Sequence, residues 1–333
     1  MSTASRLSLA VEDGTIAWPE GARVAVFAPR TGADLSALPK DRTQIITRFR
    51  PDWEAFQAAG WDCVLAPEGR YGAALVFATR AKAQCQGLIA EAAGVSDGIV
   101  VVDGAKTDGI ESILKACRKR SDVSAPLSKA HGKLFSIGAG ADFSDWALAD
   151  STTVEDDGKT FVTAPGVFSA DGVDPASRLL VDTLPEKLGA QVVDLGAGWG
   201  YLAHHVLRRD AVQALHLVEA DRVALDCARE NVNDARAAFH WADARDWTAP
   251  GPVDAVVMNP PFHIGRASDP ELGRAFIRAA ARMLSPRGQL YMVANRHLPY
   301  EGDLAAAFGE VREIGGDNRF KIVQAARPSR TRG

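Results

Sequence analysis

The sequence predicts an open α/β fold built as two successive units, and three observations predict it. Short runs rich in Val, Ile, Leu and Ala alternate with stretches of helical length along most of the chain, the pattern of doubly wound sheets. In the C-terminal half, four consecutive apolar runs lead into polar residues, Asp194, Glu219, Asp243 and Asn259. In open α/β sheets ligands bind at the carboxyl ends of the strands. Between the halves, Asp150–Lys159 (DSTTVEDDGK) is polar and acidic with almost no apolar periodicity. It divides a unit over 1–150 from a second over 160–333, and 333 residues suffice for both.

In the first unit the spacing predicts strands over 23–28, 44–47, 63–66, 73–79 and 98–102, with helices over 80–93 and 108–120. Pro67-Glu68-Gly69-Arg70 reads as a hairpin connection. Val24-Ala25-Val26-Phe27 is not followed by a glycine loop, and no Asn-Pro-Pro string occurs before residue 150. This half has the rhythm of the second without its chemistry.

In the second unit, Val192-Val193-Asp194-Leu195 runs into Gly196-Ala197-Gly198-Trp199-Gly200, then a helix from Tyr201 to about Arg209. Glycines let backbone approach a ligand. A dinucleotide fingerprint needs glycine three positions after Gly198, where Tyr201 stands. A carboxylate at Asp194 suits a cationic ligand and would repel a pyrophosphate. The run 214–218 ends at Glu219, which can accept ribose hydroxyls. A helix over 221–231 follows, and a strand near 238–241 leads to Asp243, a further strand-end carboxylate. The run 253–258 is stopped by Asn259-Pro260-Pro261-Phe262, because proline cannot donate to a strand ladder and restricts the residue before it. An amide is thereby fixed at a strand end, with an aromatic ring close by.

Composition narrows the rest. No apolar run reaches the ~20 residues of a membrane span, and Met1–Leu7 lacks the apolar region of a signal peptide. The four cysteines are scattered and the histidines show no metal-ligand spacing, so neither a disulfide framework nor a metal is expected and a reducing cytoplasm is. The net charge of −4 does not favour nucleic acid. Positive residues nevertheless cluster at Arg118-Lys119-Arg120 and toward the C-terminus, at Arg312, Arg319, Lys321 and Arg327.

The Asp194–Gly200 segment resembles the first motif of class I S-adenosylmethionine (SAM) methyltransferases. Asn259–Phe262 resembles the [N/D/S]-P-P-[F/Y/W] motif of enzymes methylating planar amino groups. Further strings, Gly166–Asp174, Ser177-Arg178-Leu179-Leu180, Val293–Tyr300 and Asn318–Ile322, resemble the bacterial ribosomal RNA small subunit guanine-N2 methyltransferase C family. That resemblance implies two Rossmann-like, class I methyltransferase-type domains, with a seven-stranded, mostly parallel sheet in the C-terminal one. The N-terminal domain would be a degenerate duplicate that aids RNA recognition. It implies SAM as cofactor, held by Asp194, Gly196, Ala197, Gly198, Gly200, Glu219, Ala220, Asp243, Ala244 and Asn259. Asn259, Pro260 and Phe262 would act on the amine, and Phe262, His263, Arg319 and Lys321 would touch RNA. The implied partner is ribosomal RNA, 16S in preference to 23S, or an assembling subunit, with no metal and no membrane. Adenine-N6 or protein glutamine-N5 methylation stays open on the Asn-Pro-Pro motif, as does a non-catalytic RNA-binding assembly factor. One departure is Trp199, where the family has a small residue; its ring is expected to pack on the N-terminal domain or on the loop at Asp171.

Overall fold

The computed structural model describes residues 5–261, 263–264, 267–268 and 270–329, and the side chains of 263–270 are outside that description. The chain separates into two compact units, Met1–Ala149 and Asp150–Gly333.

The first unit contains, in order, α1 (Arg6–Glu12), β1 (Val24–Phe27), β2 (Thr43–Ile46), α2 (Arg50–Ala58), β3 (Asp62–Val64), β4 (Ala73–Phe77), α3 (Lys82–Val95), β5 (Val100–Ala105), α4 (Ile110–Cys117), β6 (Leu127–Lys129) and β7 (Gly132–Ile137). Its strands form one sheet in the order β3-β2-β1-β4-β5-β7-β6. β1 to β5 run parallel and β6 and β7 antiparallel. Every residue of β1 and β2 is buried, as expected where helices cover both faces of a parallel sheet. The hairpin expected at Pro67–Arg70 is not one. β3 and β4 lie on opposite sides of the β2-β1 pair, so the turn serves a crossover between parallel strands, which a hairpin cannot make.

The second unit contains β8 (Thr152–Asp156), β9 (Lys159–Thr163), α5 (Pro175–Thr183), β10 (Gln191–Leu195), α6 (Tyr201–Val206), β11 (Ala214–Glu219), α7 (Arg222–Asn231), β12 (Ala237–Trp241), β13 (Val253–Met258), β14 (His263–Ile264), β15 (Ala267–Ser268), α8 (Pro270–Met283), β16 (Leu284–Asn295), α9 (Glu301–Ala307), β17 (Phe308–Gly316) and β18 (Phe320–Pro328). The main sheet has the order β12-β11-β10-β13-β16-β18-β17, parallel as far as β16 and antiparallel beyond it. The order reverses between β10 and β13, so their carboxyl ends flank a topological switch point. Two sheets of seven strands, mostly parallel, make the protein the two-domain α/β fold that the sequence implies.

The acidic stretch after residue 150 is structured. β8 and β9 pair as an antiparallel hairpin that carries buried Val154 and Phe161. The alternation is hard to read in the sequence, because the inward positions mix apolar Val154 and Phe161 with polar Asp156 and Thr163.

Candidate functional site

The glycine loop between β10 and α6 is held by its own backbone. Gly196 and Ala197 both donate to the Val218 carbonyl, at 2.9 and 3.0 Å, which ties the loop to β11. Gly196, Gly198 and Gly200 have φ of +82°, +54° and +87°, conformations that L side chains rarely adopt. At Gly200 a Cβ would also sit 3.0 Å from Val232 and 3.2 Å from Ala228, whereas at Gly198 it would meet nothing within 4 Å. Two demands therefore meet here: close packing on α7 and an open backbone face.

Asp194 lies beneath this loop with 0% exposure. Neither carboxylate oxygen has a well-formed hydrogen-bond partner among the described residues. Burial pushes its pKa up to about 8, the backbone at Ala203 opposing the rise and the Glu219 charge adding to it. Glu219, at the end of β11, is pushed up to about 7, again mainly by burial. Its two oxygens accept the N–H groups of Gly198 and Asp221, both at 2.8 Å. Two carboxyl groups that burial holds near neutrality, under a glycine loop, leave a site suited to a cation.

At the end of β13 the Asn259 side chain crosses to α5. Its Nδ2 donates to Asp174 Oδ2 and to Ser177 Oγ, both at 2.8 Å. Asp174 is the N-cap of α5 and also accepts the Ser177 N–H at 2.8 Å, with Pro175 in the first turn. Asp174, Ser177 and Asn259 line one cavity with Phe168, Gly196 and Gly198. Phe168 stands on its rim, 63% exposed, and its carbonyl accepts the Trp199 indole N–H at 3.0 Å. The Trp199 ring is buried against Phe161 and Tyr201. Of the two packings expected for it, the one on the loop before α5 is realised in this hydrogen bond. Pro260 is buried behind Asn259. Sequence reasoning gave Asp174, Ser177 and Phe168 no role. Asp174-Pro175 reads fully as a helix start, which hides its second partner.

The remaining expected residues divide. Asp243 follows β12 and is buried; its carboxylate is engaged by the Arg245 guanidinium, Nε lying 2.9 Å from both oxygens. Ala220 accepts the Trp241 indole N–H at 2.8 Å, and Ala244 is buried. Arg319 is exposed, its guanidinium 5.1 Å over the Phe320 ring. Lys321 requires correction. It was expected to meet RNA, but it is only 5% exposed, and its Nζ donates to the Leu298 carbonyl at 2.9 Å and pairs with Glu301. A buried ammonium so occupied cannot reach a phosphate. Phe262, and the side chain of His263, lie outside the described residues. Among the described residues there is no cluster that could hold a metal ion, and no helix long and apolar enough to cross a membrane.

A seven-stranded sheet of this order, with a glycine loop after β10 and an amide–diproline end on the neighbouring β13, defines a class I methyltransferase fold. The chain belongs to the methyltransferase small domain family, whose sequence model matches residues 158–324. It is 29% identical over 323 residues to a ribosomal RNA small subunit methyltransferase C of Hahella chejuensis, covering 93% of this chain and 92% of that one. It is likewise 29% identical over 290 residues to the protein of that name from Shewanella amazonensis, covering 81% and 84%. Among solved structures it is similar to a T. thermophilus 16S rRNA N2 methyltransferase in complex with AdoMet and guanosine. The TM-score is 0.80 at 25% identity, covering 94% of this chain and 90% of that one.

Proposed function

We propose that this protein transfers a methyl group from SAM to the exocyclic N2 amine of a guanine in 16S ribosomal RNA. One observation carries the choice of an amine: both N–H groups of Asn259 are committed within the protein, to Asp174 and Ser177. What the side chain has left to offer is an acceptor. The relatives named above and the neighbour solved with guanosine support the nucleobase and the RNA.

The site fits the cofactor on its own chemistry. Asp194 is a buried carboxyl group without a partner among the described residues, and Gly198 leaves open space beside the cavity. When bound, SAM supplies an electrophilic methyl group on a sulfonium. The residues proposed to hold it are Asp194, Gly196, Ala197, Gly198, Gly200, Glu219, Ala220, Asp243, Ala244 and Asn259. Asp243 would take part only by sharing its carboxylate with Arg245.

The lone pair of a guanine N2 is delocalised into the ring, so the amine is a poor nucleophile. Asn259 Oδ1 and the Pro260 carbonyl would each accept one of its N–H groups. Both contacts strengthen as the nitrogen becomes pyramidal and partly positive, and fixed acceptors need no reorganisation at that moment. Orientation supplies much of the rest. Phe262 is proposed to stack on the base, with His263 beside it, and a paired guanine must first leave its helix. Arg319 is proposed to contact phosphate. The unit over residues 1–150 is proposed as an accessory RNA-recognition domain, the unit from 160 onward as catalytic. The substrate is proposed to be ribosomal RNA, free or in an assembling subunit, and the work to take place in the cytoplasm.

The test is incubation with labelled SAM and small subunits from cells lacking the modification, followed by nucleoside analysis. N2-methylguanosine is expected. Label in N6-methyladenosine, in a protein glutamine, or in nothing would overturn the reading.

A further inference from the structure

We propose that Asp174 and Ser177 are positioning residues that decide which end of the Asn259 amide faces the substrate. This rests on the amine-methylating reading above and names the devices that enforce it.

The two ends of a carboxamide have nearly the same shape, so packing alone does not choose between them. Hydrogen bonding does. A carboxylate only accepts, and Asp174 Oδ2 lies 2.8 Å from Asn259 Nδ2. Turning the amide over would set its oxygen against that carboxylate, two acceptors with no proton between them. Ser177 Oγ, also 2.8 Å from Nδ2, takes the other N–H. The anchor is itself fixed. Asp174 Oδ2 accepts the Ser177 N–H as the cap of a nine-residue helix, α5, and Ser177 is buried on the inner face of that helix with Ala176 and Leu180. Asn259 stands at the end of β13, whose Ala255 to Met258 are fully buried. The lock thus joins two rigid elements, the condition under which a polar group holds its direction.

The consequence is chemical selectivity. An amide nitrogen turned to the cavity would repel an amine and attract a carbonyl. An amide oxygen does the reverse. Asp174 lines the cavity, yet its proposed effect on the reaction passes through Asn259.

A charge exchange tests this. Asn259→Asp keeps the shape and keeps an acceptor toward the cavity, but faces Asp174 with a second carboxylate. Turnover should fall ~10²–10³-fold, as for loss of one preorganised group, with SAM affinity within a few-fold of wild type by calorimetry. Adding Asp174→Asn restores a donor–acceptor pair across the gap. It also preserves the helix cap, since Asn caps as well as Asp. The double variant should recover at least tenfold in kcat over Asn259→Asp alone, with KM for the subunit unchanged. Independent, multiplicative effects of the two substitutions in folded protein would overturn the proposal. So would an Asn259→Asp variant with wild-type kcat. If Asn259→Asp unfolds, the cycle is run with Ser177→Ala and Asn259→Ser. Ser177→Ala alone should lower kcat several-fold and have no further effect once the amide is gone; the same loss in both backgrounds would overturn the proposal. Wild-type protein that makes no N2-methylguanosine would instead refute the function itself, so the two failures are distinct.

Discussion

The two sheets share one strand order and differ at their carboxyl edges. β1 sets Val24 opposite Thr43 and Ala73, and β10 sets Val192 opposite Leu215 and Ala255. Counting from those pairs, Val26 stands where Asp194 does, Thr47 where Glu219 does, and Phe77 where Asn259 does. The turn backbone follows the same count. Ala28 has φ +51° against +82° at Gly196, and Gly32 has +90° against +87° at Gly200. The first unit has the same turn shape, while the corresponding strand positions are apolar or neutral. Arg30 occupies the position of Gly198, and Asp52 secures the loop by accepting the Thr31 N–H at 2.8 Å. A buried carboxylate within β5 of that unit, Asp103, already has a cation, Arg6, at 2.5 Å. Asp194 has none among the described residues. The first unit thus keeps the fold by packing, whereas in the second the Asp194 carboxyl group is buried without a cation among the described residues.

The sharpest way to break this comparison is to count ligands. One SAM per chain is expected by calorimetry, and a value near two would show that the first unit also binds. Asp194→Ala should abolish measurable binding, while Asp103→Asn should leave it unchanged. In the ligand-free protein Asp194→Ala should raise the melting temperature at pH 8 by a few degrees, because it removes a desolvated carboxylate.

Next in size is Asn259→Ala. Turnover should fall ~10²–10³-fold with SAM affinity within a few-fold. Full activity at saturating SAM and RNA would remove Asn259 from the chemistry.

The raised pKa values give the comparison a pH signature. Asp194 and Glu219 hold protons in the folded state, up to about pH 8 and about pH 7, which the unfolded chain releases near pH 4. Their stabilising effect is complete below about pH 4 and is lost as pH rises to about 8. The slope is at most about 1.4 kcal/mol per pH unit from each group. Urea titrations should show this decline, and Asp194→Asn should flatten it. Binding of cationic SAM near pH 6.5 should release protons, seen as a binding enthalpy that changes with the buffer. No buffer dependence would place the carboxyl groups away from the cation.

The smallest effects separate two neighbouring cations. Arg319→Ala should weaken RNA binding and reduce its salt dependence by about one unit of slope, with SAM binding intact. Lys321→Ala should instead cost about 1–3 kcal/mol of stability by leaving the Leu298 carbonyl without its partner. Its RNA salt slope should stay unchanged in filter-binding titrations.

The strand ends were legible in the sequence because a buried parallel strand is an unbroken apolar run, so the polar residue after it stands out. That contrast picks out Asp194, Glu219 and Asn259, and the apolar run 253–258 matches β13 to the residue. What was not legible depends on partners distant in the chain. Asp174 reads as an ordinary helix cap until Asn259, 85 residues later, is seen beside it. Lys321 reads as a surface cation because alternation near a strand start does not reveal that Leu298 and Glu301 close over it. The hairpin β8–β9 reads as a linker because its partners, Trp199 and Tyr201, belong to a later segment.

That hairpin governs where the chain can be divided. Asn231, buried at the end of α7, accepts the Val162 N–H and donates to the carbonyls of Val162 and Trp199. A single amide thus joins β9, α7 and the glycine loop. Asp156 of β8 accepts the Tyr201 hydroxyl at 3.0 Å and pairs with Arg178 of α5. Cutting at 160, where composition suggests a boundary, would strip β9 of its partner strand and leave Arg178 and the Tyr201 hydroxyl without Asp156. A fragment beginning at 150 keeps that brace intact, so the ten-residue acidic stretch resembling a tether is the first part of the second unit to be preserved.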